Sequence, residues 1–222
     1  MNGKTALVFG VTGLTGSYLL NYLMGDSRYG KIKIFVRRKT GLPANNKLEE
    51  HTLDISSPEN YTALLHGDDL FCCLGTTIVK AGSKEAFRAV DYELPVKIAE
   101  AASRSGVSSF IVISSSGADV KSSNFYYRTK GEMEEAVQKF SFQKTALLRP
   151  SMLLGGRKEF RLVELIGKGL MQAMGFIFIG RMKKYKAIHA RHVSKAMIVI
   201  ANSSFSEKIF ESDKIYKIAA SN

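Results

Sequence analysis

The chain has 222 residues, 45% of them hydrophobic and 23% charged, which is enough apolar material for one sizeable core and reads as a single domain over 1–222. Its net charge of +12 is spread, with denser patches at Arg37–Lys39 and Arg181–Lys186, but neither zinc-finger spacing nor an RNA-binding aromatic motif accompanies it, so nucleic acid is not an expected partner. No apolar run reaches the roughly 18 residues of a membrane-spanning helix, and the N-terminus enters a strand pattern at once, which predicts a cytoplasmic chain.

Ala6 to Gly10 reads as a short buried strand, and Leu14 to Leu23 as a helix with Leu19, Leu20 and Leu23 on its apolar face. Lys31 to Val36 alternates as a second strand, and His51 to Ile55 suits a brief third. The run Ser57-Pro58-Glu59-Asn60 resembles a helix start, with proline in the first turn. Asp69 to Leu74 is a fourth strand. It contains Cys72 and Cys73, which as strand neighbours point to opposite faces and read as buried, reduced packing residues. A long helix over Phe87 to Ser103, despite Pro95, leads to a strand at Ser109–Ser114, a helix at Lys130–Phe140 and a strand at Thr145–Pro150. Beyond these, 157–180 carries leucines and methionines at helical spacing, Gly175–Gly180 reads as extended, and Ala190–Ala201 is again helical. Strands that are apolar throughout, alternating with helices, predict an α/β architecture: a doubly wound parallel sheet of Rossmann type with a small C-terminal helical or extended extension. On this reading 151–222 completes the substrate side.

Gly10-Val11-Thr12-Gly13-Leu14-Thr15-Gly16 joins the first strand to the first helix. A diphosphate can approach the backbone N–H groups at a helix start only where side chains are absent, and the helix dipole favours its charge. Gly10 permits a sharp exit from the strand, Gly13 a close approach and Gly16 a tight helix–strand contact. No Gly-Lys-Ser/Thr follows, so this is not a Walker loop. The second strand ends in Arg37, Arg38 and Lys39 rather than in an acid. Arginines suit a 2′-phosphate by charge and by fork geometry, so NADP(H) is expected over NAD(H), with Arg37 and Arg38 as contacts. Asp54, closing the third strand, is placed to meet the adenine amino group, or else serves as a capping or surface carboxylate.

These features resemble the short-chain dehydrogenase/reductase superfamily in its atypical and extended branches, and within it the HIV Tat-interacting-protein-like oxidoreductases. The matching pieces are GVTGLTG at 10–16, LFCCLGTT at 70–77, AFRAVDYELPVKIAEAA at 86–102, ISSSGADVKSSNFYYRTKGEMEE at 113–135 and LLRPSMLLGGR from Leu147. The resemblance implies a dinucleotide-binding oxidoreductase. Gly10, Thr12, Gly13 and Gly16, with Leu14 and Thr15 between them, would form its phosphate turn. Leu74, Gly75, Thr76 and Thr77 would pass the cofactor ribose, with Thr77 as a hydrogen-bond partner. Asp91 and Tyr92 would face or support the cofactor region, and Arg149, Pro150 and Ser151 would run beside the nicotinamide.

Tyr126 and Lys130 are four apart and share a helix face. Hydride transfer to a carbonyl leaves charge on oxygen, which a tyrosine hydroxyl can meet with a proton if an ammonium steadies the phenolate. A strand-end serine can polarise the same oxygen, and here Ser115 is favoured with Ser116 close behind. This is the family's serine–tyrosine–lysine arrangement. His189 and His192 have no acidic or cysteine ligands near them in sequence, so no metal is expected and a surface position is. The leading expectation is therefore NADP-dependent reduction of a small carbonyl, or the reverse alcohol oxidation. An NADPH-sensing binding protein with little turnover stays open. So does a nucleotide-sugar epimerase or dehydratase, although the stretch 151–222 is short for its substrate domain. The expected partner is an unidentified small-molecule substrate, with a protein partner open and a monomer or homodimer as the assembly. The apolar run 170–180 beside the basic Arg181–Lys186 also admits peripheral membrane contact.

Overall fold

Strand β1 (Lys4–Phe9) sends Ala6 and Val8 to one side and Leu7 and Phe9 to the other, and all four are fully buried. A strand apolar on both faces belongs at the centre of a covered parallel sheet. The computed structural model, which describes residues 3–155 and 186–221, puts it there. Helix α1 (Leu14–Gly25) returns the chain to β2 (Tyr29–Val36), which pairs in parallel with β1 and with β3 (Leu48–Thr52). On the other side of β1 stands β4 (Asp69–Cys72). After it come short α2 (Ile78–Ala81) and α3 (Lys84–Arg88), then α4 (Leu94–Arg104) and β5 (Ser109–Ile113). Helix α5 (Phe125–Val137) and β6 (Lys144–Arg149) complete the next unit. Strands β7 (Leu153–Leu154) and β8 (Ile188–His189) pair with each other, and α6 (Ala190–Ala201) follows. The chain ends with β9 (Ile209–Glu211), which adds to the free side of β6, and α7 (Ser212–Ala220).

Among the described residues, the main sheet has seven parallel strands in the order β3-β2-β1-β4-β5-β6-β9. One face packs Leu19, Leu20 and Leu23 of α1, Val193 and Met197 of α6 and Ile215 of α7. The other packs Ile98 and Ala102 of α4 with Met133 and Val137 of α5. Each fully buried leucine among them contributes about 1.5–3 kcal/mol against its exposed state. This is the doubly wound Rossmann-type sheet. Strand order reverses between β1 and β4, which opens a crevice at the carboxyl ends of the strands.

Several elements differ from their sequence reading. The third strand runs earlier than His51–Ile55, with half-buried side chains from Leu48 to His51 and an exposed Thr52, as befits an edge. Pro58 opens a 3₁₀ turn (Pro58–Asn60), followed by another at Thr62–Leu64, rather than an α-helix. Helix α5 starts at Phe125, ahead of Lys130, because the Asn124 side chain accepts the N–H groups of Tyr126 and Tyr127 at 2.9 and 3.4 Å. The long helix around Pro95 is continuous only by way of a π turn at Ala89–Glu93, since proline has no N–H to continue the ladder. The C-terminal extension is more than an appendage, because β9 is hydrogen-bonded into the sheet. Cys72 and Cys73 do face opposite cores as free thiols, and burial raises both pKa values, that of Cys72 to about 12. The helix and extended segment read over 157–180, and the basic patch short of Lys186, lie outside the described residues.

Candidate active site

The predicted site residues lie on the segments that follow the carboxyl ends of parallel strands, except Arg149, which is the last residue of β6, and Tyr126 and Lys130, which stand on α5. Gly10 leaves β1 with φ +87°, and a side chain there would put its Cβ 2.7 Å from the Cys73 carbonyl at the end of β4. At Gly16 a Cβ would lie 2.1 Å from the Gly10 oxygen, so α1 can approach the turn this closely only with glycine. Gly13 is different. It is exposed, and its Cβ would meet nothing closer than the Gly10 oxygen at 3.3 Å. Gly13 is also the N-cap of α1 and offers no side-chain cap to the first helical N–H groups. A space that glycine leaves clear over an uncapped helix start fits a diphosphate. Around it, Thr12 is exposed, Leu14 half-buried and Thr15 buried, with the Thr15 carbonyl accepting the Ser194 hydroxyl at 2.7 Å.

Arg37 and Arg38 emerge exposed directly after β2, and neither forms an ion pair among the described residues. Asp54, beyond β3, is also exposed and accepts the Ser56 N–H at 2.9 Å. That backbone bond, then the Ser56 hydroxyl and the nearby Arg37 charge, hold its carboxyl below the usual value. The three residues thus share one rim, beside β2 and β3.

The second half of the site is built on α5. Tyr126 is half-buried, its ring 5.4 Å from Phe87 and 5.4 Å from Tyr127. One turn on, Lys130 is only 3% exposed, and its Nζ sits 2.7 Å from Asp91 Oδ1. Burial works against its ammonium, but the Asp91 carboxylate, with Tyr126 and Cys72, outweighs it and raises the lysine above its ordinary pKa. A Cβ on Gly75 would stand 3.5 Å from Asp91 Oδ1 and 4.0 Å from Lys130 Nζ, so the loop after β4 passes directly over this pair. In that loop Leu74 packs against the core, the Thr76 N–H donates to Asp91 Oδ2 at 2.8 Å, and the Thr77 hydroxyl caps α2 by accepting the Lys80 N–H at 3.2 Å.

The serines after β5 separate by environment. The Ser114 hydroxyl is buried without a partner among the described residues. Ser115 is half-buried and donates to the Ser116 carbonyl at 3.3 Å. The buried Ser116 instead donates to Glu211 at 3.4 Å, and its N–H binds the Pro150 carbonyl at 2.9 Å. Arg149 turns its guanidinium to Glu134, at 2.9 and 2.5 Å, and to Glu211 at 3.3 Å, so its side-chain bonds belong to a clamp behind the crevice. Pro150 is buried, and the Ser151 hydroxyl donates to the Lys186 carbonyl and meets Ser212 Oγ at 3.1 Å.

Glu134 and Glu211 escaped sequence reading. Glu134 carried one signal, its position four beyond Lys130 on the buried face of α5. The two histidines are half-buried rather than on the surface. His189 caps α6 by accepting the Arg191 N–H at 3.2 Å and sets its ring against Tyr18, while His192 meets Tyr216 edge-on at 5.0 Å. Burial, then the charge of Arg191, lowers the pKa of both.

A family model described as NAD(P)H-binding matches residues 10–171. Among curated relatives, Protein HTATIP2 of Rattus norvegicus is 36% identical over 164 residues, covering 72% of this chain and 67% of its own. Protein fmp52, mitochondrial, of Aspergillus niger is 35% identical over 198 residues, or 86% of this chain and 84% of its own. The mitochondrial label on such relatives does not fit a plain cytoplasmic home, and among the described residues no helix is long and apolar enough to cross a membrane. A solved UDP-Glc/GlcNAc 4-epimerase from Campylobacter jejuni superposes with a TM-score of 0.69 at 15% identity, covering 97% of this chain and 82% of that one, which is a likeness of fold. The extent of the family match and the identity to these relatives settle the membership: the chain belongs to the NAD(P)H-binding family, as a Rossmann-fold protein homologous to HTATIP2 and FMP52.

Proposed function

We propose that the protein is an NADP(H)-dependent oxidoreductase that reduces a small carbonyl, or oxidises the corresponding alcohol, at Tyr126 and Lys130. The observation that carries this reading is the buried, charged Lys130 lying under the Gly75 loop one helical turn from Tyr126. A nicotinamide cofactor, when bound, supplies the hydride. Tyr126 gives its hydroxyl proton to the carbonyl oxygen, and the Lys130 ammonium stabilises the phenolate left behind. Ser115 is the better candidate to hydrogen-bond that oxygen, because it is half-buried and bonded only to the neighbouring Ser116 carbonyl, whereas Ser116 is buried and its hydroxyl is turned to the Glu211 carboxylate on β9. The direct test is loss of NADPH absorbance with a panel of small aldehydes, ketones and quinones. Tight cofactor binding with no turnover across the panel would favour the sensing role instead.

Two further experiments address the cofactor. Arg37→Ala should weaken NADPH about 10–100-fold, the worth of one charge-assisted hydrogen bond, and leave NADH unchanged in binding titrations. Equal affinity of the unmodified protein for the two cofactors would defeat the preference. The turn glycines should separate by role. Gly16→Ala forces α1 off the turn and should cost about 1–3 kcal/mol in thermal melts. Gly13→Ala should melt close to the natural protein yet bind either cofactor at least about tenfold more weakly, equivalent to 1.4 kcal/mol. Normal cofactor affinity in Gly13→Ala would remove the diphosphate from this turn.

A further inference from the structure

One buried carboxylate touches both halves of the site. Asp91 is 1% exposed, with Oδ1 2.7 Å from Lys130 Nζ and Oδ2 accepting the Thr76 N–H at 2.8 Å. It stands at the centre of the π turn Ala89–Glu93, just before Pro95. Such turns bulge a side chain out of the regular helical register, and they recur at functional sites. The carboxylate has no exposed edge to share with water, so its two oxygens are reserved for these two partners.

We propose that Asp91 is a positioning residue: one oxygen keeps the Lys130 ammonium charged and in place, while the other pins the Leu74–Thr77 loop, so a single group couples the site lysine to the cofactor-facing loop. This rests on the Tyr126–Lys130 reading, which gives the charge on Lys130 its task. Among the described residues, the surroundings of Lys130 contain no substitute for Asp91. From α5 it is faced by Tyr126, and from the end of β4 by Cys72. Glu134, one turn further along α5, is bound to Arg149, and Glu132 is paired with Arg88. Arg88 itself lies over the Tyr92 ring, 4.1 Å from its centroid. With Asp91 neutralised, burial is opposed only by the weaker influences of Tyr126 and Cys72 and drives the lysine towards the uncharged amine. The active form is the ammonium, so activity in such a variant falls as pH rises through the lowered midpoint.

The test is a ¹³C NMR titration of lysine ε-carbons in the cofactor-free protein, with Lys130 assigned by the signal lost in Lys130→Met. In the natural sequence the Lys130 signal should stay at the ammonium position through pH ~10, near the free-lysine value. In Asp91→Asn it should titrate at least about 2 units below free lysine, within the range seen for buried lysines without a counter-charge. A Lys130 that stays charged to pH ~10 in Asp91→Asn would overturn the proposal. Should that variant be too unstable for spectroscopy, Asp91→Asn combined with Lys130→Met, which removes both charges, should regain most of the lost melting temperature. No regain would equally overturn it. Asp91→Asn, if folded, should also bind NADPH more weakly through its released loop, and undiminished affinity would remove the pinning role. Turnover surviving Tyr126→Phe would sink the catalytic reading and leave the lysine titration standing. An unshifted lysine sinks the role of Asp91 whatever Tyr126 does.

Discussion

Tyr126→Phe should lower turnover about 10²–10⁴-fold, the usual contribution of one general acid, while cofactor affinity and melting temperature stay near those of the natural protein. The change removes one hydroxyl and keeps the ring, whose contacts are with Phe87 and Tyr127. Lys130 keeps Asp91, so the buried charge pair survives. What is lost is a proton source one turn from that ammonium, and water is a poorer replacement because it must be positioned afresh at each turnover. Tyr127→Phe is the control. Tyr127 is exposed, has no lysine four residues on, and should leave turnover unchanged. Undiminished turnover in Tyr126→Phe would strip the residue of its role. A cofactor-binding protein in which neither variant changes anything measurable would be a sensor rather than an enzyme.

The parts of the site legible in the sequence were those whose physics is local. Gly10 and Gly16 are demanded by backbone geometry within a few residues, a positive φ and a contact that no Cβ survives. Tyr126 and Lys130 share a helix face by spacing alone. Apolar runs such as Ala6–Phe9 and Phe110–Val112 declared buried parallel strands because both faces had to be covered. Long-range pairings were not legible. Asp91 could be placed near the cofactor region by resemblance, but its ion pair with Lys130 arises only when the π turn and α5 pack together. Strand β9 offers just Ile209 and Phe210 as apolar residues, too few to announce an edge strand, although β6 recruits it. The half-buried histidines depend on Tyr18 and Tyr216, from helices at opposite ends of the chain. Arg149 shows the same limit in its sharpest form, since its place beside Pro150 suggested a cofactor contact while its guanidinium is taken by acids from two other elements.

Arg149→Met should therefore act on stability first, by about 3–5 kcal/mol, because it leaves Glu134, itself only 3% exposed, as an uncompensated buried charge. In a chain of this size that corresponds to a fall of roughly 6–20 °C in melting temperature. The guanidinium grips Glu134 on α5 through two nitrogens and Glu211 on β9 through a third. The same Glu211 receives the Ser116 hydroxyl. Arg149 thus fastens the last strand of the sheet to the helix that carries Tyr126 and Lys130, and it steadies the serine segment through an acid it holds. Adding Glu134→Gln to Arg149→Met removes the stranded charge and should recover much of the loss, giving a favourable coupling between the two positions. If the side chain instead worked mainly on a cofactor, the melting temperature of Arg149→Met would hold and NADPH affinity would fall. Thermal melts of the two variants set against cofactor titrations separate a clamp from a contact, and an unchanged melt would take the clamp away.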